Sequence, residues 1–158
     1  MSILEKPRVT IAAVIEKDAR FLLVEEKTRR GLRLDLPTVD LQPSECPLMS
    51  CARAALGKAG CKFMPKSLVG VYIARSRDDL DMTILNFALS GRVGSVDLSR
   101  AVRAHMRALW MSAEELRECV ETYRSPTVLQ AVEDHLRGRR YRLDVIDFEA
   151  KVNLPLVL

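Results

Sequence analysis

Residues 44–60 read SECPLMSCARAALGKAG, and the reading of the whole chain turns on this segment. Ser44 is an N-cap residue type, and Pro47 is tolerated in a first helical turn. Leu48, Cys51, Ala52, Ala55, Leu56 and Ala59 recur at helical spacing until Gly60 supplies a stop. The pattern predicts a helix over residues 46–59 with that stripe against a core. Upstream, residues 9–15 form an apolar β-branched run. Polar Glu16, Lys17 and Asp18 follow, then the apolar run 21–24, which together predict a β-hairpin. The basic stretch 27–33 lacks an apolar period and reads as a solvated loop leading into Leu34 to Pro37, a candidate rim for a ligand cleft.

Downstream, residues 69–74 and 83–89 are strand-like, separated by the polar segment 75–81. Ser112 followed by Glu115 is a capping-box pattern opening a helix with Leu116, Cys119 and Val120 on one side. Ser125 and Pro126 open a third helix, with Val128, Leu129, Val132 and Leu136 as its buried stripe and Gly138 at its close. Strands interleaved with three helices predict one α/β (α+β) domain over residues 1–158, a mixed sheet sandwiched between helices.

Composition bounds the function classes. The 158 residues are close to half apolar, enough for one sizeable core, and 25 basic against 21 acidic residues give a net charge of +4. Such a mild bias suits a small anion without indicating nucleic acid. Arg137, Arg139, Arg140 and Arg142 form a basic cluster, but no RNA-binding signature is present. Cys46, Cys51, Cys61 and Cys119 lack metal-ligand spacing and read as buried thiols of a reducing cytoplasm. No apolar run approaches the roughly 20 residues of a membrane helix, and the first residues show no signal-peptide pattern. His105 and His135 have no Ser, Cys or carboxylate at a triad spacing and read as surface or boundary residues.

The order of motifs resembles the Nudix hydrolases. Leu22-Leu23-Val24-Glu25-Glu26, then Leu36-Pro37, a loop to Glu45 and a helix carrying Arg53 and ending at Gly60 look like the core of that family. Leu109 to Leu116, where Trp110 precedes a capped helix, resembles the segment that commonly follows the Nudix sheet. The tail from Arg124-Ser125-Pro126 to Tyr141 resembles the bacterial branch acting on thiamin-related and nucleoside pyrophosphates. Laid on the family signature, Glu45, Arg53 and Gly60 match at their spacing. Val39 replaces the leading glycine, and Ala54, Gly57 and Lys58 replace the three helical glutamates.

The resemblance implies that those glutamates would hold Mg²⁺ against a substrate diphosphate, since positions i, i+3 and i+4 share a helix face. A hard cation needs anionic oxygens. Here the positions present a methyl group, no side chain and an ammonium. At about 4 Å and an effective dielectric of about 20, the ammonium repels a divalent ion by several kcal/mol. No metal is expected at this place, so a catalytically weak or inactive homologue is expected, one binding a nucleotide or other diphosphate-bearing ligand or a protein partner, a second copy of the chain included. Lys58, Arg29, Arg30 and Arg33 are the ligand-binding candidates, each otherwise simply solvated. Glu45, Arg53 and Gly60 are expected to be structural, with Glu45 the sole catalytic candidate. The alternative is a pyrophosphohydrolase of nucleoside di- or triphosphates or thiamin pyrophosphate. Its Mg²⁺ or Mn²⁺ would be held by displaced carboxylates, among them Glu45, Glu25 and Glu26, or by Asp78, Asp79 and Asp81. Glu114 and Glu115 read as first-turn helix residues. A pure interaction module, with apolar residues 152–158 covering the domain or reaching a second subunit, is the third possibility.

Overall fold

The computed structural model describes residues 6–101 and 106–148. His105 and the segment 152–158 lie outside the described residues. Strand β1 (Arg8–Val14) is the spine. On one edge it pairs antiparallel with β5 (Thr38–Asp40), and on the other it runs parallel to β7 (Thr83–Val96). β7 pairs antiparallel with β6 (Cys61–Arg75), and β6 with the short β9 (Tyr141–Arg142), giving a mixed sheet ordered β5-β1-β7-β6-β9. A second, antiparallel sheet is built on β3 (Arg20–Thr28). The short β2 (Glu16–Lys17), β4 (Gly31–Asp35) and β8 (Met106–Ser112) all pair with it.

Helix α1 (Pro47–Ala59) packs on one face of the mixed sheet; α2 (Ala113–Glu118) and α3 (Thr127–Leu136) belong to the core on the other. The period of two along β1 sorts its side chains. Ile11, Ala13 and Ile15 join Cys51, Ala55 and Ala59 of α1, whereas Ala12 and Val14 join Val128, Ala131 and Val132 of α3. A strand buried on both faces reads as a continuous apolar run, as residues 9–15 do. Each such Ile, Leu or Phe removed from water stabilises the fold by roughly 1.5–3 kcal/mol. The fold class is the expected one, a mixed sheet between helices.

Several local expectations are corrected. The supposed loop 27–33 is a hairpin in which β3 and β4 pair from Val24↔Asp35 to Thr28↔Gly31, with Thr28 Oγ1 closing the turn onto the Gly31 carbonyl. Backbone pairing needs no apolar period, so the pattern was silent there. Ser44 adopts φ +61° and does not cap α1, whose N-cap is Cys46 with no side-chain bond. The buried stripe of α1 is Ser50, Cys51, Ala54, Ala55 and Ala59, while Leu56 is 44% exposed. On α3, Ala131, Asp134 and His135 are buried and Leu136 is exposed. His135, expected at the surface or a boundary, is buried, edge-on against Phe21 with its Nε2 beside Glu16. Val120, expected on one side of the second helix with Leu116 and Cys119, is exposed beyond the end of α2, and Cys119 is half-buried at that end. The capping box forms as expected: Glu115 donates its N–H to Ser112 Oγ, and the Ser112 N–H donates to Glu115 Oε1.

Candidate functional site

Parallel pairing of β1 with β7 brings the starts of these strands, the end of β6 and the box helix to one end of the mixed sheet, where a cleft of ≈ 260 Å³ opens. Its floor carries Thr10 and Asn86, buried, with the Asn86 amide donating to Thr10 Oγ1 at 2.7 Å. Six cationic side chains line it: Arg8, Arg53, Lys58, Arg75, Arg77 and Arg124. Asp35, Asp40 and Asp78 are the acidic ones. The surplus of positive charge in a partly enclosed space favours anions.

Not every cation is available. Arg8 holds Asp40 through two bonds, at 2.7 and 3.2 Å. Arg124 pairs with Glu26 at 2.9 Å. Arg53 donates Nε and Nη2 to the two carboxylate oxygens of Glu45, at 3.0 and 2.9 Å, and Nη2 also reaches the Asp40 carbonyl at 3.1 Å. Ser50 Oγ adds a 2.6 Å bond to Glu45. Together these tie the start of α1 to β5, and the Arg53 hydrogen bonds hold the Glu45 carboxyl below its ordinary pKa. Lys58, Arg75 and Arg77 have no ion-pair partner among the described residues.

Asp35, at the end of β4, is the one cleft carboxylate with a strongly displaced titration. Burial raises it from 3.8 to about 6, against the lowering fields of Arg124 and Lys58. Lys58 therefore stands in the cleft within electrostatic reach of Asp35. The other two positions on α1 where the signature has glutamate behave differently. Ala54 is fully buried, and Gly57 is on the exposed side, where a Cβ would meet nothing within 4 Å. The shared face expected for residues 54, 57 and 58 thus spreads from core to solvent. Close packing does not explain Gly57. Gly60, by contrast, is required twice over: its φ is +62°, and a Cβ there would lie 1.9 Å from the Asp97 carbonyl oxygen.

Of the ligand-binding candidates, Lys58 lines the cleft and Arg29, Arg30 and Arg33 do not. Arg30 spends its guanidinium on Asp78 at 3.1 Å and the Arg124 carbonyl at 3.2 Å, fastening the hairpin tip to the cleft rim. Arg33 donates to its neighbour's carbonyl, and Arg29 is exposed. The candidate carboxylates for a displaced metal are dispersed. Glu25 and Glu26 are successive residues of β3, so they point to opposite faces and meet Arg107 and Arg124 respectively. Among the described residues no group of three His, Cys, Asp or Glu side chains is gathered closely enough for a metal ion. The donor set present does not fit Mg²⁺ or Mn²⁺ at the box.

The second basic cluster is also internally engaged. Arg137 and Arg139 meet the buried Asp134, Arg140 the His135 carbonyl, and Arg142 Asp144. Sequence reasoning missed Asp35, Arg8, Arg75, Arg77 and Arg124. Asp35 directly precedes Leu36-Pro37, and Arg75 and Arg77 lie in the polar segment 75–81; those were the available signals.

A mixed sheet between helices is the architecture shared with solved Nudix structures. A Nudix hydrolase from Nitrosomonas europaea superposes with a TM-score of 0.84 at 38% identity, over 91% of this chain and 98% of that one. The chain belongs to the Nudix hydrolase family. It is also similar to the phosphatase NudJ of Escherichia coli, 25% identical over an alignment of 149 positions that covers 89% of this chain and 91% of that protein. A MutT protein from Methanosarcina mazei shares the fold, with a TM-score of 0.64 at 20% identity, over 87% of this chain and all of that one. No protein-family profile matches the chain. No helix of the described residues is long and apolar enough to cross a membrane.

Proposed function

We propose that the chain binds a diphosphate-bearing small molecule, such as a nucleotide, in this cleft through its own cations, without a metal, and turns it over weakly or not at all. The observation that carries the reading is Lys58. At a position where the family signature has a glutamate, an ammonium lines the cleft beside Asp35. Lysine has three donors and no acceptor, so it binds phosphate oxygens and repels a divalent ion. Arg75, Arg77 and Lys58 line the cleft without an ion pair among the described residues. The names of the relatives, a hydrolase and a phosphatase, support phosphate as the ligand class. Without a metal the site lacks the usual means of neutralising the diphosphate and activating water, commonly the largest part of phosphoryl-transfer catalysis. Three buried free thiols fit a reducing cytoplasm.

A pyrophosphohydrolase acting on nucleoside di- or triphosphates or thiamin pyrophosphate is the second reading. Asp35 favours it, since a carboxyl titrating at about 6 is suited to general-base work near neutrality. Phosphate release from those compounds, with Mg²⁺ or Mn²⁺ supplied, separates the two. The first reading predicts rates at background, and fast metal-dependent turnover would refute it.

A further inference from the structure

The turn joining β6 to β7, residues 76–82, brings Arg77 to the cleft wall and is folded around one hydroxyl. Ser76 is buried, and its Oγ accepts the N–H groups of Asp78 and Asp79, each at 3.2 Å. The Ser76 N–H donates to the Met82 carbonyl at 2.9 Å, the Met82 N–H to the Asp79 carbonyl at 3.0 Å, and the Asp81 N–H to Asp79 Oδ1 at 3.1 Å. All of these bonds lie within the turn. The β6–β7 ladder itself stops at Arg75 opposite Thr83. Among the described residues, one side chain alone ties the turn by a hydrogen bond to a distant part of the chain: Arg30, whose Nε meets Asp78 Oδ1 at 3.1 Å.

Arg30 is itself held in place. Thr28 Oγ1 donates to the Gly31 carbonyl at 2.8 Å and accepts the Arg30 N–H at 3.1 Å, which closes the hairpin tip around it. The second bond of the guanidinium, from Nη2, goes to the Arg124 carbonyl at 3.2 Å, and the Arg124 N–H donates back to Leu34 of the same hairpin at 2.9 Å. A planar guanidinium carries its donors in a fixed fork, so it can hold two partners in one geometry. From outside the cleft, Arg30 thus spans two of its walls, the β6–β7 turn and the segment leading into α3. Arg29 carries the same charge at the same tip but is exposed and forms no ion pair among the described residues.

We propose that Arg30 is a positioning residue for anion binding: through Asp78 it fixes the β6–β7 turn so that Arg77 stays in the cleft wall, and it does not touch the ligand itself. The inference rests on the ligand reading of the cleft. The Arg30 and Asp78 side chains are 28% and 41% exposed, so water weakens the pair and the expected effect is moderate.

Titration calorimetry with inorganic pyrophosphate in EDTA tests it on the full chain, on Arg30→Ala, Arg29→Ala and Arg77→Ala, and on the double variant Arg30→Ala/Arg77→Ala. Amide hydrogen exchange follows the Asp78 and Asp79 N–H groups in the same proteins. Arg30→Ala should bind about three- to fivefold more weakly. Arg29→Ala, which loses the same charge, should stay within about twofold of the parent. Once Arg77 is alanine, removing Arg30 should cost little more, because the group it positions is gone. The two amides should exchange faster in Arg30→Ala than in the parent or in Arg29→Ala. An equal loss in Arg29→Ala overturns the proposal, since net charge then explains the effect. Losses that simply add in the double variant, or an Arg30→Ala protein that binds as tightly as the parent, overturn it as well and leave the ligand reading standing. A parent chain that binds no pyrophosphate overturns the ligand reading and this proposal together.

Discussion

Replacing Asp35 by asparagine keeps the shape of the side chain and removes a charge that burial disfavours. In the folded protein the carboxyl titrates at about 6 instead of 3.8, mainly because burial withdraws water from it. Between these values the folded state holds a proton that the unfolded state has lost, so stability falls as pH rises from about 4 to about 6 and stays lower above that. At about 1.4 kcal/mol per pH unit the loss reaches about 3 kcal/mol, a ceiling because the side chain is only partly screened from solvent. Asp35→Asn should therefore match the parent near pH 4 and exceed it by about 1–3 kcal/mol at pH 7–8. Urea denaturation at half-unit pH steps measures both proteins. His135 acts in the opposite sense: burial lowers its pKa, so its contribution to stability is lost as pH falls through that depressed value. Because His135 is present in both proteins, the difference curve cancels it. A difference that is flat from pH 4 to 8, or that reverses sign, would refute the assignment of Asp35 as a desolvated cleft carboxylate.

Further outcomes follow from the same geometry. Gly60→Ala should cost about 2–4 kcal/mol in denaturant unfolding, since it forces a left-handed residue and a clash with the Asp97 carbonyl. Ala54→Glu buries an unpaired carboxylate and should cost roughly 3 kcal/mol or more, whereas Gly57→Ala, facing open space, should gain up to about 1 kcal/mol. Arg53→Ala, which frees Glu45 and the Asp40 carbonyl, should lower stability by about 1–2 kcal/mol in the same unfolding experiment while leaving the cleft's lysine in place. Lys58→Ala should weaken binding of inorganic pyrophosphate at least tenfold by calorimetry with an unchanged Tm.

The elements with strong apolar signals were legible before any coordinates. Residues 9–15, buried on both faces, and the capped start of α2 lie where the sequence places them. What the sequence hid was pairing and convergence. The hairpin at Thr28–Gly31 and the long β6–β7 ribbon, which runs well past residues 69–74 and 83–89, are held by backbone bonds that leave no side-chain period. The cleft was half-visible. Lys58 stood out because it occupies a motif position, but its neighbours Arg8, Arg75, Arg77 and Arg124 come from segments far apart in the chain, brought together by the β1–β7 and β6–β7 pairings and by the Leu34–Tyr123 bridge. The arginines at 29, 30 and 33 drew notice for their density, but they do not line the cleft: Arg30 fastens the hairpin to the rim, Arg33 donates to the Leu32 carbonyl, and Arg29 is exposed. The altered box positions also separated on folding. One is core, one is solvent and one is cleft, so restoring all three glutamates would test stability along with chemistry.

Titration calorimetry of pyrophosphate and ADP into the full chain, in EDTA and then in excess Mg²⁺, is the most direct trial of a cleft that replaces metal by its own cations. The account predicts saturable binding in EDTA that Mg²⁺ does not strengthen. Binding that requires Mg²⁺, accompanied by the continuing heat of turnover, would contradict it.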